Sequence, residues 1–447
     1  MQNPEVAQTH TPAPPAPPAE APAPPSNRSA LLIVFLVVFI DLLGFGIILP
    51  LLPRYADTYL DHLLPGGKTD PMGGLILGGL MSAFSLMQFI FAPLWGRVSD
   101  HVGRRPILLL GLFASVVFYT LFGFASDLPA DGAAELAIIL LFVARLGAGV
   151  AGATISTAQA VIADCTPPEK RKHGMALIGA AFGIGFTFGP LIGFASLYWL
   201  PNHHGVIGYV AACLSLVAFL LGVRMLPETR RFGEAPRVRK WIEWRGLRTA
   251  LASPALWPVV LMFFLATFGF GMFEPTLALL IQDALGMNEK NSFLIFAFVG
   301  FMLLLTQGVL YRRMANRVSE PTFMAAGIWL MALGLAGLGG VTLLANQAEP
   351  PGFDTLLALT LISLAVAVVG FAFLTPSAQA LVSRRSDPTK QGEILGANQS
   401  ASALARILGP AIGLPLYKLE ESHLLPYAFG AVLLLLMLPL IPRVRRG

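Results

Sequence analysis

Gly96-Arg97-Val98-Ser99-Asp100-His101-Val102-Gly103-Arg104-Arg105-Pro106 places five ionisable side chains in eleven residues, between apolar runs near 72–95 and 106–126. Its two glycines let a short loop turn sharply, and an acid followed by two arginines can form ion pairs near a helix end. Each flanking run is long enough to cross a hydrocarbon core of ~30 Å. The same alternation recurs from Leu31 to Leu440. Of 447 residues, 55% are hydrophobic and 12% charged, with a mean hydropathy of +0.70. A soluble domain carries roughly 25% charged residues, so this chain has too few to coat a water-facing surface. A soluble core helix would not need such length repeatedly. The composition therefore specifies an all-α membrane protein.

Breaking the chain at Pro/Gly clusters and charges predicts about twelve transmembrane helices. They lie near 30–53, 72–95, 106–126, 134–163, 173–197, 205–226, 255–282, 292–313, 321–345, 354–383, 391–416 and 423–442. With these spans, 24 of the 30 Lys/Arg fall on one side and four (Arg54, Lys68, Lys290, Lys418) on the other, with Arg145 and Arg406 inside spans. The Lys/Arg-rich side is expected to be cytoplasmic, with both termini there, in the cell (inner) membrane.

Two spacings suggest an internal repeat. Gly96, Asp100 and Arg105 are matched 212 positions later by Gly308, Arg312 and Arg317. Gly189-Pro190-Leu191-Ile192-Gly193 is matched 220 positions on by Gly409-Pro410-Ala411-Ile412-Gly413. Two six-helix halves, 30–226 and 255–442, are expected, with a substrate path between them near the midplane. Residues 1–29 read as a disordered Pro/Ala-rich tail. Residues 227–254 read as a basic cytoplasmic linker, and 443–447 as a basic cytoplasmic tail.

Several functions are excluded at this level. The net charge of +5 follows from the one-sided basic loops and does not imply nucleic acid. Two cysteines, Cys165 and Cys213, build neither a disulfide framework nor a metal cluster. His203–His204 is the one close histidine pair and reads as a solvated loop. Without a Walker-type loop, direct ATP binding is not expected, and no catalytic set points to an enzyme. No cofactor is expected beyond a proton gradient.

Two acids lie deep within spans: Asp41 in the first and Glu274 in the seventh. A carboxylate in a low-dielectric site is a candidate proton carrier, and a structural acid paired with an arginine is the alternative. Arg145, costly inside a membrane unless paired or hydrated, is expected to face the interior of the bundle. Gln88, Gln159 and Gln307, if cavity-facing, could offer hydrogen bonds to a ligand.

The loop Gly96–Pro106 resembles the signature loop of the major facilitator superfamily, Gly-x-x-x-Asp-basic-x-Gly-Arg-basic, with His101 at a basic position. Arg145-Leu146-Gly147-Ala148-Gly149 is similar to a second motif of its proton-coupled members, with Ala148 where Gln is frequent. Gly185-x-x-x-Gly189-Pro190-x-x-Gly193 resembles the antiporter motif, with Phe194 in place of its last glycine. Asp41 fits the acid of the first span in tetracycline/proton antiporters, whereas Phe118 stands where those exporters carry another acid. The resemblance covers about 31–447 and implies the major facilitator fold. It also implies a cytoplasmic gate of Gly96, Asp100, Gly103, Arg104, Arg105 and Asp164, in which Arg104 pairs with Asp164 and Asp100 meets the start of the eleventh span. Proton coupling through Asp41, Arg145 and Glu274 would follow. The implied function is proton-driven antiport, exporting an amphipathic drug-like compound or metabolite by alternating access, from a monomer. A proton-linked importer or uniporter of a small nutrient is the alternative; an intramembrane enzyme is a distant third.

Overall fold

The computed structural model describes residues 28–67, 70–166, 171–201, 203–230, 248, 251–386 and 391–446. The tail and most of the linker lie outside the described residues. Ten stretches, from Leu31–Leu63 to Leu425–Arg445, are helices long and apolar enough to cross a membrane. Arg171–Trp199 and Gln391–Lys418 add helices of 29 and 28 residues. Among the described residues the chain thus forms twelve spans, all α-helical in the main. In a bilayer every backbone N–H and C=O must be satisfied within the protein, and helices do this locally. The protein is a multi-pass membrane protein.

The first half comprises Arg28–Ile48, Pro71–Val102, Arg104–Ser126, Ala130–Gly152 continued as Ile155–Cys165, Arg171–Trp199 and Val206–Met225 as spans one to six. A short helix, Leu52–Leu63, lies between the first two. The second half comprises Trp257–Asp283, Glu289–Leu305, Glu320–Ala345, Phe353–Arg385, Gln391–Lys418 and Leu425–Leu435 with Ile441–Arg446, as spans seven to twelve. The eighth span continues from Leu305 into a π-helical turn, Thr306–Tyr311.

Local sequence sets the boundaries. Asp70 caps the second span by accepting from the Met72 amide, with Pro71 in the first turn. Asn288 caps the eighth through the Asn291 amide. One residue, Gly103, separates the second and third spans, with φ of +114°. A side chain there would be strained and its Cβ would lie 2.5 Å from Glu228 Oε2.

Each half packs in the same way. The first span lies along the fifth, and the seventh along the eleventh. A Cβ on Gly189 would sit 2.8 Å from the carbonyl carbon of Gly46, and one on Gly409 would sit 2.7 Å from that of Gly271. Both glycine-proline motifs therefore let two backbones meet, as small residues do between membrane helices. The halves join where the second span crosses the eleventh and the fifth crosses the eighth.

Candidate functional site

Among the described residues, the two ends of the molecule differ in what crosses between the halves. The end bearing Gly96–Pro106 is called here the basic face. There Arg104 is held within its own half. Its Nη2 lies 2.6 Å from Asp100 Oδ1, its Nε donates to Asp164 Oδ2 at 3.2 Å and its Nη1 to Ser99 Oγ at 2.7 Å. Asp100 and Arg104 are both buried. The backbone amides of Arg104 and Arg105 donate to the Glu228 carboxylate at 2.9 and 3.1 Å, so an acid following the sixth span caps the third. Asp100 Oδ2 is buried and has no hydrogen-bond partner among the described residues. The start of the eleventh span, which the resemblance sets opposite Asp100, falls at 387–393, outside the described side chains.

At the opposite face the halves are bolted together. Asp57 and Lys418, each buried, pair at 2.8 Å. Arg54 Nη1 donates to the Met287 carbonyl at 2.8 Å. The Tyr55 hydroxyl and His204 Nδ1 both donate to Glu289 Oε2, at 3.2 and 3.0 Å. Lys290 Nζ lies 5.1 Å from the centre of the Tyr198 ring. Deeper in, Ser82 donates to the Ile407 carbonyl at 2.6 Å. His204 is thus engaged in an ion pair across the halves, although its side chain is half exposed. Its hydrogen bond to Glu289 holds its pKa above the ordinary histidine value.

Between these ends, Glu274 lines a small cavity with Gly46, Leu49, Phe186, Pro190 and Phe273 among the other walls, drawn from both halves. The cavity has room at its centre for about one water molecule. Arg406, midway along the eleventh span, is the charged neighbour of Glu274 and donates to Ser402 Oγ at 3.1 Å. It is exposed despite this depth. A guanidinium facing lipid would be expensive at this depth.

Arg145 is buried in the other half. Its guanidinium lies 4.7 Å from the Phe84 ring centre and 5.9 Å from that of Phe45, and its Nε has no hydrogen-bond partner among the described residues. The Asp41 backbone is in the first span; its side chain lies outside the described part. Asp41 falls five residues before Gly46, and Glu274 falls three after Gly271. The two acids therefore differ by eight residues in register, about 12 Å along parallel helices. Gln88 donates to the Gly152 carbonyl at 3.3 Å, while Gln159 and Gln307 are exposed. None of the three is among the cavity-lining residues. Phe118 packs its ring where a Cβ on Gly147 would stand, 2.1 Å away.

Sequence reasoning did not select Arg54, Tyr55, Asp57, His204, Glu228, Glu289, Arg406 or Lys418 as site residues. For Arg54 and Lys418 a signal was present. They are among the four basic residues that the span assignment placed on the Lys/Arg-poor side.

Comparisons with known proteins agree with this architecture. The mouse Major facilitator superfamily domain-containing protein 10 is 28% identical over 94% of both chains. The class G tetracycline resistance protein of Vibrio anguillarum is 30% identical over 93% of this chain and 98% of its own. The crystal structure of the human organic anion transporter MFSD10 (TETRAN) superposes with a TM-score of 0.62 at 26% identity, covering 93% of this chain and all of that one. Residues 34–410, and again 308–446, match the Major Facilitator Superfamily, to which this chain belongs: it is a secondary transporter and not an enzyme.

Proposed function

We propose that this chain is a proton-coupled antiporter that exports an amphipathic drug-like compound or metabolite by alternating access. The observation that carries the reading is Glu274, set in a cavity walled by both halves, with Arg406 beside it. A carboxylate at the seam is exposed to one face or the other as the halves rock, which is what a proton carrier requires. Proton and substrate would compete for it. Aromatic walls from Phe186, Phe273 and Phe296 suit the apolar body of an amphiphile. The basic face is cytoplasmic on the charge argument, so the bolted face is the outer one. Asp100, Arg104 and Asp164 act as the inner gate. Support comes from Asp100 Oδ2, which is buried at this face and has no hydrogen-bond partner among the described residues. With Phe118 in place of an acid, tetracycline is not the expected cargo, although the tetracycline exporters are relatives.

A second reading follows from Arg406 and from the human organic anion transporter. An organic anion bound to Arg406 would displace Glu274, which would then take a proton. Substrate and proton would in that case travel together. Proteoliposomes with an imposed pH gradient separate the two. Antiport drives substrate against the direction of proton flow, and symport drives it along. If Glu274→Gln retains gradient-driven accumulation and Asp41→Asn loses it, the carrier is Asp41. If wild type ignores the gradient, proton coupling itself is wrong.

A further inference from the structure

We propose that His204 and Glu289 form a pH-sensitive latch on the bolted face, which favours the sealed arrangement of the halves when that face is acidified. The latch is separate from the coupling carboxylate. It rests on the alternating-access part of the reading above, but not on proton coupling.

The geometry is that of a clamp on the first turn of the eighth span. Glu289 opens that span, and its Oε2 accepts from two groups of the other half, His204 Nδ1 at 3.0 Å and the Tyr55 hydroxyl at 3.2 Å. Arg54 grips the same turn through the Met287 carbonyl and lies 3.5 Å from Ser292 Oγ. Lys290 in that turn sits over the Tyr198 and Phe194 rings at 5.1 and 6.0 Å. The His204 ring also meets Tyr55 edge-on, with centroids 5.4 Å apart. Asp127 positions the histidine by accepting from the Gly205 amide at 2.7 Å. Every one of the contacts to Glu289 and to the Met287 carbonyl must break before the halves can part at this face.

Among the described residues, the charged and titratable groups that act on the imidazole are few. Glu289 meets it from the eighth span, Arg54 and Tyr55 from the short helix and Asp127 from the turn after the third span, and His203 precedes it in the loop. The hydrogen bond to Glu289 is the largest influence and favours the imidazolium, burial opposes it, the Glu289 and Asp127 charges add to it, and Arg54 opposes it; the balance favours the imidazolium. The sealed state thus holds the histidine proton more tightly than a parted state in which His204 meets water. By linkage, protons then favour sealing. The contribution is complete below the ordinary histidine value of about 6.5 and is lost as pH rises through the higher sealed-state value.

Spin labels on cysteines introduced at Glu135 and Glu349 report the opening of this face. Both sites are exposed near its rim, one in each half. The parent is full-length protein in nanodiscs with Cys165 and Cys213 replaced and with Asp41→Asn and Glu274→Gln, so that neither candidate coupling acid titrates. Between pH 8.5 and 5.5 the ratio of sealed to parted distances is expected to rise about two- to tenfold. His204→Gln should abolish the pH response, as should Glu289→Gln. His204→Arg, which keeps a cation, should stay sealed at pH 8.5. A parent with no pH response, or a response that survives His204→Gln in folded, monodisperse protein, overturns the latch. So does a His204→Arg variant that parts as readily as His204→Gln. Because transport is not measured, these results stand whether or not Glu274 carries a proton.

Discussion

The two halves share a scaffold and differ in their charge. In each, a glycine of the first helix meets a glycine of the fifth, Gly46 with Gly189 and Gly271 with Gly409, and a proline follows the latter. Carrying the 225-residue offset between Gly46 and Gly271 along the helix sets Leu49 against Glu274 and Ala266 against Asp41. Leu49 and Glu274 line the same cavity, one apolar and one ionisable. The arginines also diverge. Arg145 stacks on aromatic rings, whereas Arg406 neighbours a carboxylate. Close approach of two helices is a demand that each half must meet on its own. A proton site needs to exist only once, so the repeat constrains packing and leaves chemistry free to sit on one side.

The strongest way to break that contrast is to remove the acid. Glu274→Gln keeps the shape and loses the titratable group, so pH-driven accumulation in proteoliposomes should fall to the equilibrium ratio while exchange down a gradient continues. If Asp41→Asn does this instead, the chemistry belongs to the first half and the contrast is reversed.

Next in size is the bolt between the halves. Lys418→Met takes the ammonium from the buried Asp57 carboxylate. Breaking such a buried pair costs about 3–5 kcal/mol, and only the sealed arrangement bears that cost. Labels at Glu135 and Glu349 should then report a mostly parted face. An unchanged distance distribution would mean that the apolar contacts of Gly74 and Gly78 with the eleventh span seal the face unaided.

Smaller still are the glycine contacts. Gly189→Val and Gly409→Val each drive a branched side chain into backbone that cannot turn away. Overpacking costs about 1–3 kcal/mol, so both should lower the thermal unfolding midpoint by similar amounts. Gly340→Ala, with open space around its Cβ, is the control. A drop in one variant and none in the other would show that the shared scaffold is only apparent.

What the sequence revealed follows the physics of each feature. Twelve spans were legible because hydrocarbon demands about twenty apolar residues each time, and the two halves because the glycine-proline pentad recurs. The fifth and eleventh spans were harder to bound because glycine lowers hydropathy where it permits close packing. The contacts across the bolted face carry no period. Asp57 and Lys418 lie 361 positions apart, and His204 and Glu289 lie 85 apart, joined only by the fold. One trace of them was nevertheless present. Of the four basic residues on the Lys/Arg-poor side, Arg54, Lys290 and Lys418 all reach across the halves, and Lys68 lies outside the described residues. Basic residues that defy the charge bias were holding a structure together. His204 gave no such sign, because an exposed histidine beside another in a loop looks the same with or without a carboxylate facing it.

The smallest expected effect belongs to Arg145, and it sharpens the comparison most finely. Its guanidinium lies over Phe84 and Phe45, and among the described residues no carboxylate pairs with it. A desolvated cation–π contact is worth about 2 kcal/mol, while keeping a charge out of water has a cost of several kcal/mol. These terms oppose each other. Methionine fills a similar length and makes its own favourable contacts with aromatic rings. Arg145→Met is therefore expected to change stability by no more than about 1 kcal/mol, a shift of a few degrees at most in the unfolding midpoint. The outcome is informative in either direction. If Arg145 instead neutralises the Asp41 carboxylate, the substitution strands a buried charge and should cost about 3–5 kcal/mol. In that case Asp41→Asn in the same chain should recover most of the loss. Near-neutrality would leave the first half as scaffold and the second as the seat of the charge chemistry. A large loss with recovery would give the first half a buried ion pair of its own, at a depth about 12 Å from Glu274.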